Sequence, residues 1–232
     1  MKNPFANLRE RWYRRFVHKF YSKDLLLELQ NRARADSADY VMSRMAEAII
    51  CRGQDELFAY CAKQTNRDGL CLEFGVATGS SIRKLAKLFG GTTIYGFDTF
   101  EGLPEDWAGT TESQGKFKRE GLPKVPANVQ LQQGLFDQTL PAFLVAEHDP
   151  VRFIHVDCDL YSSTATIFSN LAKRIVPGTV IVFDEYFNYP NWQAHEFKAF
   201  QQYVASHQIQ YRYLAFTARG GSVGVLIESV GE

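Results

Sequence analysis

Residues 70–89, LCLEFGVATGSSIRKLAKLF, decide the fold. An apolar run too short for a helix is followed by a turn with Gly75 and Gly79, and then by a segment with helical spacing of Ile82, Leu85 and Ala86. The unit reads as strand, glycine turn, helix. It recurs downstream. The runs TTIYGFD, NVQLQQG, VRFIHVD and GTVIVFD alternate with the helix-length segments LPAFLVAEH, STATIFSNLAKRIV and NWQAHEFKAFQQYVASH. Strands that alternate with helices form a parallel sheet covered on both faces. The tail IQYRYLAFT and GGSVGVLIES has no helix between its runs, so it predicts a closing hairpin with Arg219, Gly220 and Gly221 at the turn. The expected fold is therefore α/β: a doubly wound, Rossmann-like, mostly parallel sheet of about seven strands whose last strand is antiparallel.

Residues 1–66 read as a helical appendage and residues 67–232 as the main domain. SADYVMSRMAEAIICR has helical periodicity after Ser37 as the expected N-cap, and DELFAYCAKQT continues it. Of the 232 residues, 45% are apolar, enough for one packed core. No run reaches the ~18 apolar residues of a membrane span, and arginines interrupt the start of the chain where a secretory signal would be apolar, so a cytoplasmic location is expected. The four cysteines form no CxxC pair and read as reduced, buried residues. Net charge is zero, yet residues 1–35 carry nine Lys/Arg against three acids. This basic, aromatic arm suits a solvated helix packing Trp12, Phe16 and Phe20 on the domain, a homodimer contact, or, less readily, a membrane surface. Basic and aromatic residues are not interleaved along any expected strand, so nucleic acid is not an expected partner.

The polar features gather at strand ends, where open parallel sheets bind ligands. Glu73, Phe74, Gly75, Gly79, Ser80 and Ser81 surround the first turn, whose glycines allow close backbone approach and whose free amides suit an anionic group. Asp98 ends the second strand 23 residues after Gly75, at a spacing suited to the two hydroxyls of a ribose, with Thr99 following. Gly134 and Leu135 stand where a purine ring would lie. Asp157 and Asp159 end a later strand; in extended chain both would face one way and repel each other. Asp184 and Glu185 end the next strand, and both serve one centre only if the chain leaves the strand there, which Pro190 permits. A hard divalent cation such as Mg2+ would relieve this repulsion. Residues 99–127 form the one long irregular stretch and read as a lid or binding loop.

The segments LEFGVATGSS, IYGFDTFEGLPEDW, GLFDQTLP, IHVDCDLYSST and PGTVIVFDEY together resemble the macrocin O-methyltransferase family, metal-dependent class I methyltransferases that use S-adenosylmethionine. The resemblance spans about Leu70 to Phe200. It implies that Asp157, Asp184 and Glu185 hold the metal, that Asp159 is the general base, and that Glu73, Gly75 and Asp98 bind the cofactor. It departs from methyltransferases at large at Ala77, where many have glycine, and at Glu185, where aspartate is commoner. The substrate it implies is a small molecule with neighbouring hydroxyls, a sugar of a natural product or a catechol-like diol, with Trp107, Tyr161, Tyr186 and Trp192 as expected pocket walls. An NAD-type oxidoreductase shares the glycine turn and Asp98, but hydride transfer does not require the carboxylates, and no lysine follows Tyr161 at catalytic spacing. A non-catalytic interaction module using the basic arm would have no use for the acid cluster.

Overall fold

The computed structural model describes residues 4–231. Two helices open the chain, α1 (Pro4–Phe20) and α2 (Leu25–Arg44), before a short strand β1 (Ile49–Cys51) and helix α3 (Gln54–Gln64). The winding then runs β2 (Leu70–Phe74), α4 (Ser80–Leu88), β3 (Ile94–Asp98), β4 (Val129–Gln133), α5 (Phe136–Ala146), β5 (Val151–Val156), α6 (Tyr161–Leu171) and β6 (Val180–Phe183). One 3-10 turn (Trp192–Ala194), α7 (Glu196–Ser206), β7 (Gln210–Thr217) and β8 (Val223–Ser229) complete it. The sheet has eight strands in the order β1-β7-β8-β6-β5-β2-β3-β4. Only β8 runs against its neighbours, pairing antiparallel with both β6 and β7.

The expected architecture is present with one strand more than the seven read from sequence. The addition is β1, three residues that pair parallel with β7 inside a stretch expected to be helical throughout. Its apolar residues fit helical spacing equally well, and only the tertiary partner selects the strand. Because β1 joins the sheet and α3 buries Leu57, Phe58 and Cys61, packing is continuous across residue 66.

Alternation along the strands builds the two cores. In β2 every residue is buried, with Leu70, Leu72 and Phe74 facing the layer of α5, α6 and α7, while Cys71 faces α3 and α4. Ser37 is no helix cap. Asp24 caps α2 by accepting from Leu27 N at 3.0 Å, and the helix runs through Ser37. The buried Ser37 hydroxyl donates to Ala33 O and accepts from Asn188 N, so it ties α2 to the segment after β6.

Trp12, Phe16 and Phe20 do not pack on the domain. They are 71%, 39% and 53% exposed, and they contact one another, Trp12 stacked on Phe16 with ring centroids 6.0 Å apart and Phe16 tilted against Phe20 at 4.9 Å. The i, i+4 spacing that predicts a packed stripe is satisfied along α1 itself.

Candidate active site

The order of winding reverses between β2 and β5, the adjacent parallel pair at the middle of the sheet. A cavity of about 480 Å3 opens beyond the carboxyl ends of these strands and of β3 and β6, where such sheets bind ligands.

Its first wall is the glycine turn. Gly75 has φ +92°, and a Cβ there would lie 1.7 Å from Asp157 O, so the close passage of the two strand ends admits glycine alone. Asp98 knits this turn to the end of β3. Its Oδ2 accepts from Val76 N at 2.8 Å and Ala77 N at 2.7 Å, and its Oδ1 accepts from Phe100 N at 2.7 Å. Gly75, Asp98, Thr99 and Leu135 line the cavity, whereas Glu73, Phe74, Gly79, Ser80, Ser81 and Gly134 do not. Glu73 is fully buried beneath the turn, where it accepts from Ser81 Oγ at 2.7 Å and lies 3.5 Å from His155 Nδ1. Phe74 backs Phe136, ring to ring at 5.2 Å, and Phe136 faces the cavity beside Leu135. Gly134 donates its N–H to Asp98 O at 3.0 Å, which fixes the start of α5 against β3.

The second wall is acidic. Asp157, Asp159, Asp184 and Glu185 all line the cavity, together with Asp98 and Asp137, and among the described residues no Lys, Arg or His lines it. Strand alternation is not what gathers them. β5 ends at Val156, and Asp159 has φ +63°, a left-handed conformation that turns the chain back over the cavity. β6 ends at Phe183, which lets the consecutive Asp184 and Glu185 reach the same space. Burial, followed by Asp184 and Asp159, pushes Asp157 well above the usual carboxylate range. Burial pushes Asp159 up to about 7, with Asp184 and then Glu112 adding to it. Glu185 rises to about 8 through burial, then Asp184, then Asp159. Among the described residues, no three Asp, Glu, His or Cys side chains converge closely enough to form a ready cation site.

Several residues outside the sequence reading support these acids. Asp184 Oδ1 accepts from Gln54 Nε2 and from Ser222 Oγ, both at 2.9 Å. Glu196, the first residue of α7, is fully buried with Ala199, Phe200 and Tyr203, at i, i+3, i+4 and i+7. An acid on the apolar stripe of an amphipathic helix is the sequence signal that would have found it. Burial, then Asp159, Glu185 and Asp184, raises its carboxyl well above the usual range.

The long loop forms the third wall. Leu103, Pro104, Trp107 and Phe117 face the cavity. Backbone bonds join Leu103 to Lys116 and Trp107 to Glu112, and His195 Nε2 lies 2.7 Å from Ala108 O. Of the four aromatics expected as walls, Trp107 alone serves. Tyr186 and Trp192 are buried in the core behind the site, and Tyr161 donates to Gln202 Oε1 outside it.

Residues 72–186 match the family described as a methyltransferase domain, a span that begins in β2 and ends just past the acid pair after β6. The 8-demethyl-8-(2,3-dimethoxy-alpha-L-rhamnosyl)-tetracenomycin-C 4'-O-methyltransferase of Streptomyces olivaceus is 28% identical over 155 residues, covering 55% of this chain and 58% of its own length. The chain thus spans a little over half of that curated relative. Among solved structures, the calicheamicin methyltransferase CalS11 shares the fold with a TM-score of 0.61 at 19% identity, covering 89% of this chain and 94% of its own. The O-methyltransferase NovP does so with a TM-score of 0.56 at 20% identity, covering 75% and 79%. The matched span runs through all three walls of the cavity, and over it the chain is similar to a methyltransferase domain.

Proposed function

We propose that the protein transfers the methyl group of S-adenosylmethionine to a hydroxyl of a small polyhydroxylated acceptor, with a divalent cation such as Mg2+ assisting. One observation carries this reading: the acids that end β5 and β6 face the same cavity as the glycine turn and Asp98. Four carboxylates of hard oxygen donors, with no basic side chain among them, suit a hard divalent ion.

In this reading Asp98 orients the ribose through the lone pairs left over from its three backbone bonds, Thr99 flanks it, and Leu135 and Phe136 bracket the purine. Glu73, Phe74, Gly79, Ser80, Ser81 and Gly134 act from behind by shaping the turn. Asp157, Asp184 and Glu185 would hold the cation. When bound, the cofactor would supply an activated electrophilic methyl, and the cation would supply positive charge that makes the acceptor hydroxyl more acidic. Asp159, held near neutrality, takes the acceptor's proton. Leu103, Pro104, Trp107 and Phe117 exclude water and align the acceptor with the methyl.

A sugar hydroxyl of a natural product is the favoured acceptor, as the name of the tetracenomycin relative specifies a rhamnosyl group; a catechol-like diol meets the same chemistry. A cytoplasmic homodimer, with the exposed face of α1 at its contact, completes the proposal. No described helix is long and apolar enough to cross a membrane.

Calorimetric titration with S-adenosylhomocysteine, with and without Mg2+, tests the cofactor without needing the acceptor. Micromolar binding is expected. No binding up to ~1 mM, about 4 kcal/mol of affinity, would refute the reading.

A further inference from the structure

We propose that Glu196 is a positioning residue that locks the two carboxylate-bearing loops together, so that Asp157 and Asp159 on one and Asp184 and Glu185 on the other face one cavity, where they would close on a divalent cation. The inference rests on the divalent-cation reading above. Glu196 Oε1 accepts from Cys158 N at 3.4 Å and from Asp159 N at 3.2 Å, and its Oε2 accepts from Glu185 N at 3.3 Å. One fully buried side chain therefore bonds to the backbone of both loops, just beyond the points where β5 and β6 end and ladder bonds no longer fix their separation.

The geometry requires a carboxyl group. Three N–H donors from two directions need two acceptor oxygens on one group. Glutamine has one oxygen, and its amide would set N–H against N–H at one of the loops. Aspartate is a methylene shorter and would release one of them. Asp159 also holds a positive φ, a conformation that persists where surrounding bonds over-determine it, and its N–H is one of the three. The preceding residue, His195, bonds the lid at Ala108 O, so the start of α7 ties the acidic wall to the lid wall of the cavity.

The test compares the full-length wild type with Glu196→Gln in two titrations: Mn2+ alone, followed by electron paramagnetic resonance, and S-adenosylhomocysteine, followed by calorimetry. Partners that orient metal ligands typically change affinity by about 10- to 100-fold when altered. We expect Mn2+ to bind Glu196→Gln weaker by that factor, with S-adenosylhomocysteine affinity within about twofold, because the glycine turn and Asp98 do not touch Glu196. Unchanged Mn2+ affinity, even with a lower melting temperature, overturns the positioning role and leaves the cation reading standing. Absence of Mn2+ binding by the wild type overturns the cation reading itself, and the inference with it. Should Glu196→Gln fail to fold, hydrogen exchange in the wild type decides. Slow exchange of the Asp159 and Glu185 amides supports the lock, and exchange at the rate of an open loop overturns it.

Discussion

Asp159→Asn should make the metal-free protein more stable at pH 8 while abolishing turnover. Asparagine tolerates the left-handed backbone at this position, so the change removes charge with little new strain. Raising the carboxyl from its usual 3.8 to about 7 costs its ionised form at most about 4 kcal/mol, at about 1.4 kcal/mol per tenfold. Its neighbours in the cluster share protons with it, which brings the expected gain to about 2–4 kcal/mol. The sign follows from linkage. A raised folded-state pKa means that the native protein holds the proton more tightly than the unfolded chain does. This contribution is fully present below about pH 4 and is lost as the pH rises through about 7. Wild type should therefore lose stability relative to Asp159→Asn across that window and no further above it. Urea unfolding in chelator at pH 5 and pH 8 reads the difference directly, and melting at pH 8 should rise on the order of 5–10 °C for a chain of this length. An Asn variant no more stable than wild type at pH 8, with the same dependence on pH, would refute the idea that Asp159 is held in an unfavourable charged state.

Three further outcomes follow from the geometry. Gly75→Ala would drive a Cβ to 1.7 Å from Asp157 O and force a positive φ on alanine, so a loss of at least about 3 kcal/mol, or insoluble protein, is expected; near-native urea stability would contradict the packing of the strand ends. Trp107→Ala should raise the acceptor KM with little change in S-adenosylhomocysteine affinity, because the indole faces the cavity from the lid; equal weakening of both by calorimetry and kinetics would remove it from the acceptor side. Replacing Trp12 and Phe16 together by serine should leave the unfolding free energy of the isolated chain within about 0.5 kcal/mol, since both rings are exposed, and a large loss would mean that α1 is packed after all.

What the sequence conveys about this molecule divides along the range of the physics involved. The order of strands and helices from Leu70 onward is legible because each is specified locally, by a short strand-forming run of four to eight residues or by a 3.6-residue stripe, and Gly75 is legible because the turn demands it. The acids at the ends of β5 and β6 are legible as a group, since unpaired charge at the end of an apolar run is conspicuous anywhere. Their assembly is not. Strand alternation predicts that Asp157 and Asp159 share a face, but both lie past the end of β5 and meet in the cavity through the left-handed turn at Asp159. That turn is bonded by Glu196, 37 residues later in the chain. Asp184 depends in the same way on Gln54 and Ser222, one before the first strand of the main winding and one in the closing hairpin. The exposed aromatic stripe of α1 makes the converse point. Periodicity shows that a helix has an apolar face, and only the tertiary structure shows whether the domain covers it. The groups that react at this site can thus be read one segment at a time, whereas those that hold them in place come from segments far apart in the chain. That is why the positioning residues are where experiment on this protein has most to add.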